Sequence, residues 1–175
     1  HDWGGWVGFL MCLNHPERID RFLALNIAHP FQRVDSRLLS AWRFWYQYII
    51  AMPGLGYSLI RASWFVEKLI KLGFSQQVLD QRDIEVYLRA LKEPERAKAS
   101  VLLYRTFLLR ELIPITLGKY KNQRLEMPVR ILFGRNDFAV SVDLLRDFQN
   151  YGDDLAIEFI DNCGHFIAEE KPELV

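Results

Sequence analysis

The sequence predicts an α/β protein whose mainly parallel sheet is interrupted by a long helical insert. Three observations carry this reading. Short apolar runs at Arg21 to Ile27, Val129 to Phe133 and Leu155 to Ile160 have the length of buried strands. Helical spacing surrounds each run, an alternation that favours parallel pairing. Between the first run and the second, about ninety residues are built almost wholly of amphipathic helix-like segments.

The chain opens on His1-Asp2-Trp3-Gly4-Gly5, after which Trp6, Val7, Leu10, Met11 and Leu13 recur at helical spacing until His15-Pro16 ends the pattern. A helix is expected just past Asp2. Pro16-Glu17-Arg18 reads as a turn, and Phe22-Leu23-Ala24-Leu25 as the heart of the first strand. From Pro30 to about Tyr120, helices are expected at Leu38 to Ile50, Ser63 to Leu72, Asp83 to Leu91 and Ala97 to Leu112. Gly73-Phe74-Ser75 and Lys92-Glu93-Pro94 supply the breaks, and Pro114 is expected to stop the helix that runs into it. Pro128 introduces the second strand and Gly134 closes it, with a helix expected at Asp143 to Phe148. The third strand leads to Gly164-His165 and the start of another helix. The domain organisation expected is a core of residues 1–29 and 121–175 with a helical cap over 30–120.

Half of the 175 residues are apolar, enough to bury a core. Lys plus Arg equal Asp plus Glu at 22 each, so no net field recruits nucleic acid, and a small neutral partner fits better. Cys12 and Cys163 lack the spacing of a zinc site or a disulfide framework, and His1, His15, His29 and His165 are scattered. No metal or other cofactor is expected, and a reducing, cytoplasmic setting is inferred. The longest uncharged run, Phe44 to Ile60, falls short of the roughly 20 residues of a spanning helix and contains Pro53-Gly54. It is read as buried or ligand-facing rather than as a membrane-surface segment. Oligomeric state is not legible.

Ligands of a parallel sheet sit beyond the carboxyl ends of its strands, where Asp137 and His165 are expected. Small residues after a strand-to-helix turn allow a strained elbow that thrusts one side chain into a cleft, and here that side chain is Asp2. Taken singly, Asp2 reads as a helix cap, Asp137 as a turn residue and His165 as a loop histidine. Together they stand in the order nucleophile, acid, histidine.

HDWGG, GRNDF and GHF with the following Glu169-Glu170-Lys171-Pro172 are similar to the motifs of epoxide hydrolases. His15-Pro16-Glu17-Arg18-Ile19 and His29-Pro30 also resemble that family, so the likeness runs through the whole chain. It implies the α/β-hydrolase fold and an Asp2 ester hydrolysed by water that His165 and Asp137 activate. It also implies an oxyanion donor at the Trp3 amide, and two cap tyrosines as acids, matched by Tyr46 beside Gln47 and by Tyr104, with Tyr48 as the alternative to Tyr46. Trp3, Gln47, Phe138 and Phe166 would line the pocket. The substrate implied is a small epoxide. Trp42, Phe44, Trp45, Trp64 and Phe65 suggest an apolar one, although helix packing would explain them equally. Haloalkane or fluoroacetate dehalogenases share the aspartate ester, and a non-catalytic relative that only binds is the third reading. A serine esterase is disfavoured because no GxSxG occurs.

The family's strands before the elbow, the small residue before His1 and the second oxyanion donor have no counterpart in these residues, and the sequence begins without methionine. The stretch is therefore read as a piece of a longer protein, inactive when isolated.

Overall fold

The computed structural model describes residues 1–31, 44–75 and 79–175. Helix α1 (Asp2–Asn14) is followed by a 3-10 turn at Pro16–Arg18 and strand β1 (Phe22–Leu25). The helices α2 (Trp45–Ala51), α3 (Leu55–Arg61), α4 (Ser63–Gly73), α5 (Gln81–Lys92) and α6 (Pro94–Thr106) come next. A π-helical stretch, Phe107–Leu112, then joins α6 to α7 (Ile113–Thr116). Strand β2 (Val129–Gly134), strand β3 (Leu155–Ile160) and α8 (Ile167–Glu170) follow.

The strands form one parallel sheet in the order β1-β2-β3, with Phe22 opposite Val129 and Val129 opposite Leu155. Side chains of β2 alternate between two apolar clusters, as strand geometry requires. Val129, Ile131 and Phe133 join Phe9 and Cys12 of α1, while Leu132 joins Ile160, Cys163 and Ile167 on the other side. Helix α1 lies close against β1 because Gly5 and Gly8 carry no side chain. A Cβ at Gly5 would stand 2.7 Å from the Ile27 side chain, and one at Gly8 would stand 2.5 Å from the Phe22 ring. The helices α2 to α6 bury a third cluster of their own, including Ile50, Phe65, Ile70, Ile84, Leu88 and Val101.

The sequence places β3 and the α4–α5–α6 breaks well and misplaces three features. The helix expected at Asp143 to Phe148 is two 3-10 turns, Val142–Leu145 and Phe148–Tyr151. Asp147 separates them in the left-handed region, φ 63°, where a continuous right-handed helix cannot pass. Pro114 does not stop its helix. It sits in the first turn of α7, directly after the π stretch, where the wider turn accommodates a residue with no N–H to give back. The uncharged run Phe44 to Ile60, expected to be buried or ligand-facing, breaks at Gly54 (φ 75°) into α2 and α3 as its Pro53-Gly54 suggests, but leaves Trp45, Met52 and Leu55 exposed. Of the helix expected from Leu38 to Ile50, the described part is α2; residues 38–43, with Trp42 among them, lie outside the described residues.

Candidate active site

Asp2, Asp137 and His165 converge, with the His165 ring between the two carboxylates. Asp2 opens α1 with a positive φ of 47°, a conformation that costs an L-residue energy and that clusters at functional sites. The amides of Gly4 and Gly5 bond to the His1 carbonyl. The Trp3 N–H comes one residue before these, ahead of the first amide that the helix pairs with its own carbonyls.

Asp137 follows β2 and is buried. Its Oδ1 accepts hydrogen bonds from the amides of Ala139 (2.7 Å) and Val140 (2.9 Å), while Oδ2 accepts from Asn26 Nδ2 (2.8 Å) and meets His165 Nδ1 at 2.8 Å. A carboxylate only accepts, so Nδ1 carries the proton and Nε2 is left facing Asp2. That nitrogen stands 3.8 Å from Asp2 Oδ1, beyond hydrogen-bond length. Burial alone would lower the His165 pKa. The hydrogen bond with Asp137 and the adjacent Asp2 carboxylate outweigh it and raise the value from 6.5 to about 10.

The loop that bears His165 is anchored from several sides. The His165 amide donates to the Gly73 carbonyl at the end of α4 (2.6 Å), and the His1 ring donates to the His165 carbonyl (2.8 Å). Glu170 accepts from the Gly164 amide (2.8 Å) and from the Ser75 hydroxyl (2.7 Å). Gly134 has no room for a Cβ, which would fall 2.2 Å from the Gly164 carbonyl oxygen.

Two cavities meet at the elbow. The larger, about 260 Å³, is lined by Asp2, Trp3, Tyr46, Tyr104, Phe138, His165 and Phe166 together with aliphatic residues of the helical segment. The smaller, about 130 Å³, shares Asp2, Trp3 and Tyr46 with it and adds Gln47, Tyr48, Phe44 and Phe107. The rings of Tyr46 and Tyr104 stand 6.3 Å apart, and Trp3 meets Tyr104 edge-on at 5.2 Å. Burial raises the pKa of both phenols. The negative charge of Asp2 adds to the rise in each, while the nearby donors, Gln47 at Tyr46 and the Trp3 indole at Tyr104, work against it. Both are therefore protonated donors. Tyr48, the alternative to Tyr46, is 46% exposed against 9% for Tyr46.

The triad, tyrosine and pocket residues singled out in the sequence thus lie at or beside one of the two cavities, with Asp137 behind His165, whereas of the aromatic residues taken to suggest an apolar substrate only Phe44 lines a cavity among the described residues. Sequence reasoning missed Asn26, Glu170 and the Gly73 carbonyl. Asn26 carried a readable signal, a polar residue ending an apolar strand at its carboxyl end. The other two act through contacts distant in sequence. Among the described residues no group of His, Cys, Asp and Glu is placed to hold a metal ion, and no helix is long and apolar enough to cross a membrane.

No family model matches the chain. Over 180 residues it is 26% identical to the AB hydrolase superfamily protein YfhM of Bacillus subtilis, covering 100% of this chain and 61% of that protein. It is 22% identical over 183 residues to the soluble epoxide hydrolase of a Corynebacterium species (100% and 62%). It is 23% identical over 184 residues to haloalkane dehalogenase 2 of Mycobacterium tuberculosis (99% and 59%). The solved structure of the epoxide hydrolase CorEH superposes with a TM-score of 0.77 at 23% identity, over 99% of this chain and 62% of that one. The chain thus spans about three-fifths of the length of these relatives. The parallel sheet, the strand-end loops and these likenesses together establish the α/β-hydrolase fold for this chain, with epoxide hydrolases and haloalkane dehalogenases among its relatives.

Proposed function

We propose that the full-length protein is an epoxide hydrolase in which residues 30–120 form a cap over a core of residues 1–29 and 121–175. The observation that carries the reading is the meeting, around one cavity, of a half-buried carboxylate, a histidine backed by a buried carboxylate, and two protonated tyrosines. Asp2 attacks a ring carbon, the carbon–oxygen bond of the ring breaks, and an ester forms between Asp2 and substrate. The ring oxygen takes the electron pair and a proton from Tyr46 or Tyr104, each of which can hydrogen-bond the developing alkoxide.

In the free protein, two carboxylates hold a proton on His165. Esterification removes the charge of Asp2, the nearer partner of Nε2, and this lowers the affinity of the imidazole for its proton. His165 then becomes the base that takes a proton from water as the water attacks the ester carbonyl of Asp2. The Trp3 amide donates to the oxyanion formed there, and collapse releases a vicinal diol. Trp3, Gln47, Phe138 and Phe166 complete the pocket, whose apolar lining suits an apolar epoxide.

The dehalogenase reading shares the ester and its hydrolysis but has no use for two phenols aimed at a leaving oxygen. Assaying the full-length protein with styrene oxide and with 1-chlorobutane separates them. Diol formation that falls about 100-fold in Tyr46→Phe, the size expected for one lost donor, supports the epoxide reading. Halide release without diol overturns it.

A further inference from the structure

We infer that Asn26 is a positioning residue for the histidine base, holding the acid loop and the base loop to the end of β1. The inference rests on the ester mechanism proposed above and extends it to a residue outside the triad.

Asn26 is fully buried at the carboxyl end of β1, with φ 44°. Asparagine is among the few residues that visit this left-handed region routinely, so the position suits its backbone as well as its side chain. The amide nitrogen donates to Asp137 Oδ2 (2.8 Å) and to the Gly164 carbonyl (3.0 Å). The amide oxygen accepts from the Gly134 N–H at 3.3 Å. One side chain therefore ties together the ends of all three strands of the sheet, and two of those ends carry Asp137 and His165.

The choice of oxygen gives Asn26 a chemical role. Oδ2 is the atom that receives His165 Nδ1, so Asn26 fixes the direction from which the carboxylate meets the imidazole. A neutral donor on that oxygen also draws off part of its charge, which moderates how strongly Asp137 holds a proton on His165. Aspartate in place of Asn26 keeps the shape and the tolerance of the backbone conformation. It removes both donated bonds and sets a carboxylate against Asp137, holding the imidazole protonated when it must act as base. Glycine removes the side chain without straining the backbone. Neither change touches Asp2 or the tyrosines, so ester formation is spared and ester hydrolysis is slowed.

The test is rapid-quench mass spectrometry on the full-length protein with styrene oxide, following the Asp2 ester in the native protein, Asn26→Asp, Asn26→Gly and His165→Gln. Thermal unfolding confirms that each variant is folded. The expected result is an ester that forms at the native rate in both Asn26 variants and decays about tenfold more slowly, as for one lost hydrogen bond to a charged group. A purely structural role would lower both rates together or only the unfolding temperature. Either pattern, or native rates for both steps, overturns the proposal. Absence of ester in His165→Gln overturns the ester mechanism itself, and the inference with it.

Discussion

The paired environment of His165 makes the most specific demand at the level of single residues. Its folded pKa is raised, from 6.5 to about 10, so the stability lent by its proton is fully present below pH 6.5 and is lost as pH rises through 10. Replacing Asp137 with Asn removes one of the two carboxylates responsible. The gap in urea-unfolding free energy between the native protein and Asp137→Asn is therefore predicted to be wider below pH 6.5 than above pH 10. A gap independent of pH would mean that His165 is not held protonated by its neighbours. The surface ion pairs ask for much less. Arg124–Asp153 and Arg130–Asp154 are exposed, and exposed pairs are worth about 0–1 kcal/mol.

Close backbone approach is the constraint that acts on whole elements. The end of β2 passes so near the His165 loop that a Cβ at Gly134 would lie 2.2 Å from the Gly164 oxygen and 2.5 Å from that of Cys163. Both are backbone atoms of a loop anchored by Glu170 and Gly73, so neither can give way cheaply. Gly134→Ala is predicted to cost at least about 1–3 kcal/mol, the usual cost of overpacking, and to move His165 away from Asp137. Chemical denaturation reads the first effect, and diol formation the second. This scale also separates what was legible in the sequence from what was not. The strands read clearly because Val129 to Phe133 and Leu155 to Ile160 are continuous apolar runs bounded by turn residues. Asp137 and His165 could be placed because both follow such runs directly. The segment from Asp143 to Phe148 has helical spacing too, but spacing does not reveal that Asp147 takes a left-handed conformation. Pro114 misled for the opposite reason, since a π turn just before it relieves the clash that ordinarily ends a helix. Asn26 showed only its place at the end of an apolar strand, since the Gly164 carbonyl it binds is 138 residues away, and nothing local tied Glu170 to Ser75, 95 residues before it.

Over the whole molecule, the histidine loop is joined to the helical segment through α4. The His165 amide reaches the Gly73 carbonyl, Glu170 binds both Gly164 and Ser75, and Phe166 stacks on Phe74 at 4.7 Å. In Glu170→Ala the Gly164 amide and the Ser75 hydroxyl both lose their partner, and this junction is predicted to loosen. Faster amide exchange at residues 73–75 and 164–166, with Ile131 in the middle of β2 unchanged, is the expected signature. Unchanged exchange at Gly164 and His165 would show that Gly73 alone holds the loop. Asp2, Trp3 and Tyr46 line both cavities, so the attacking carboxylate lies where the two adjoin. The most direct test of that assignment is a single turnover of the full-length protein with styrene oxide in oxygen-18 water. The account predicts that the first diol released carries no label and that one labelled oxygen appears in the carboxylate of Asp2. Label in the first diol, with none in the peptide that holds Asp2, would mean that water attacks the substrate directly and that Asp2 is not the nucleophile.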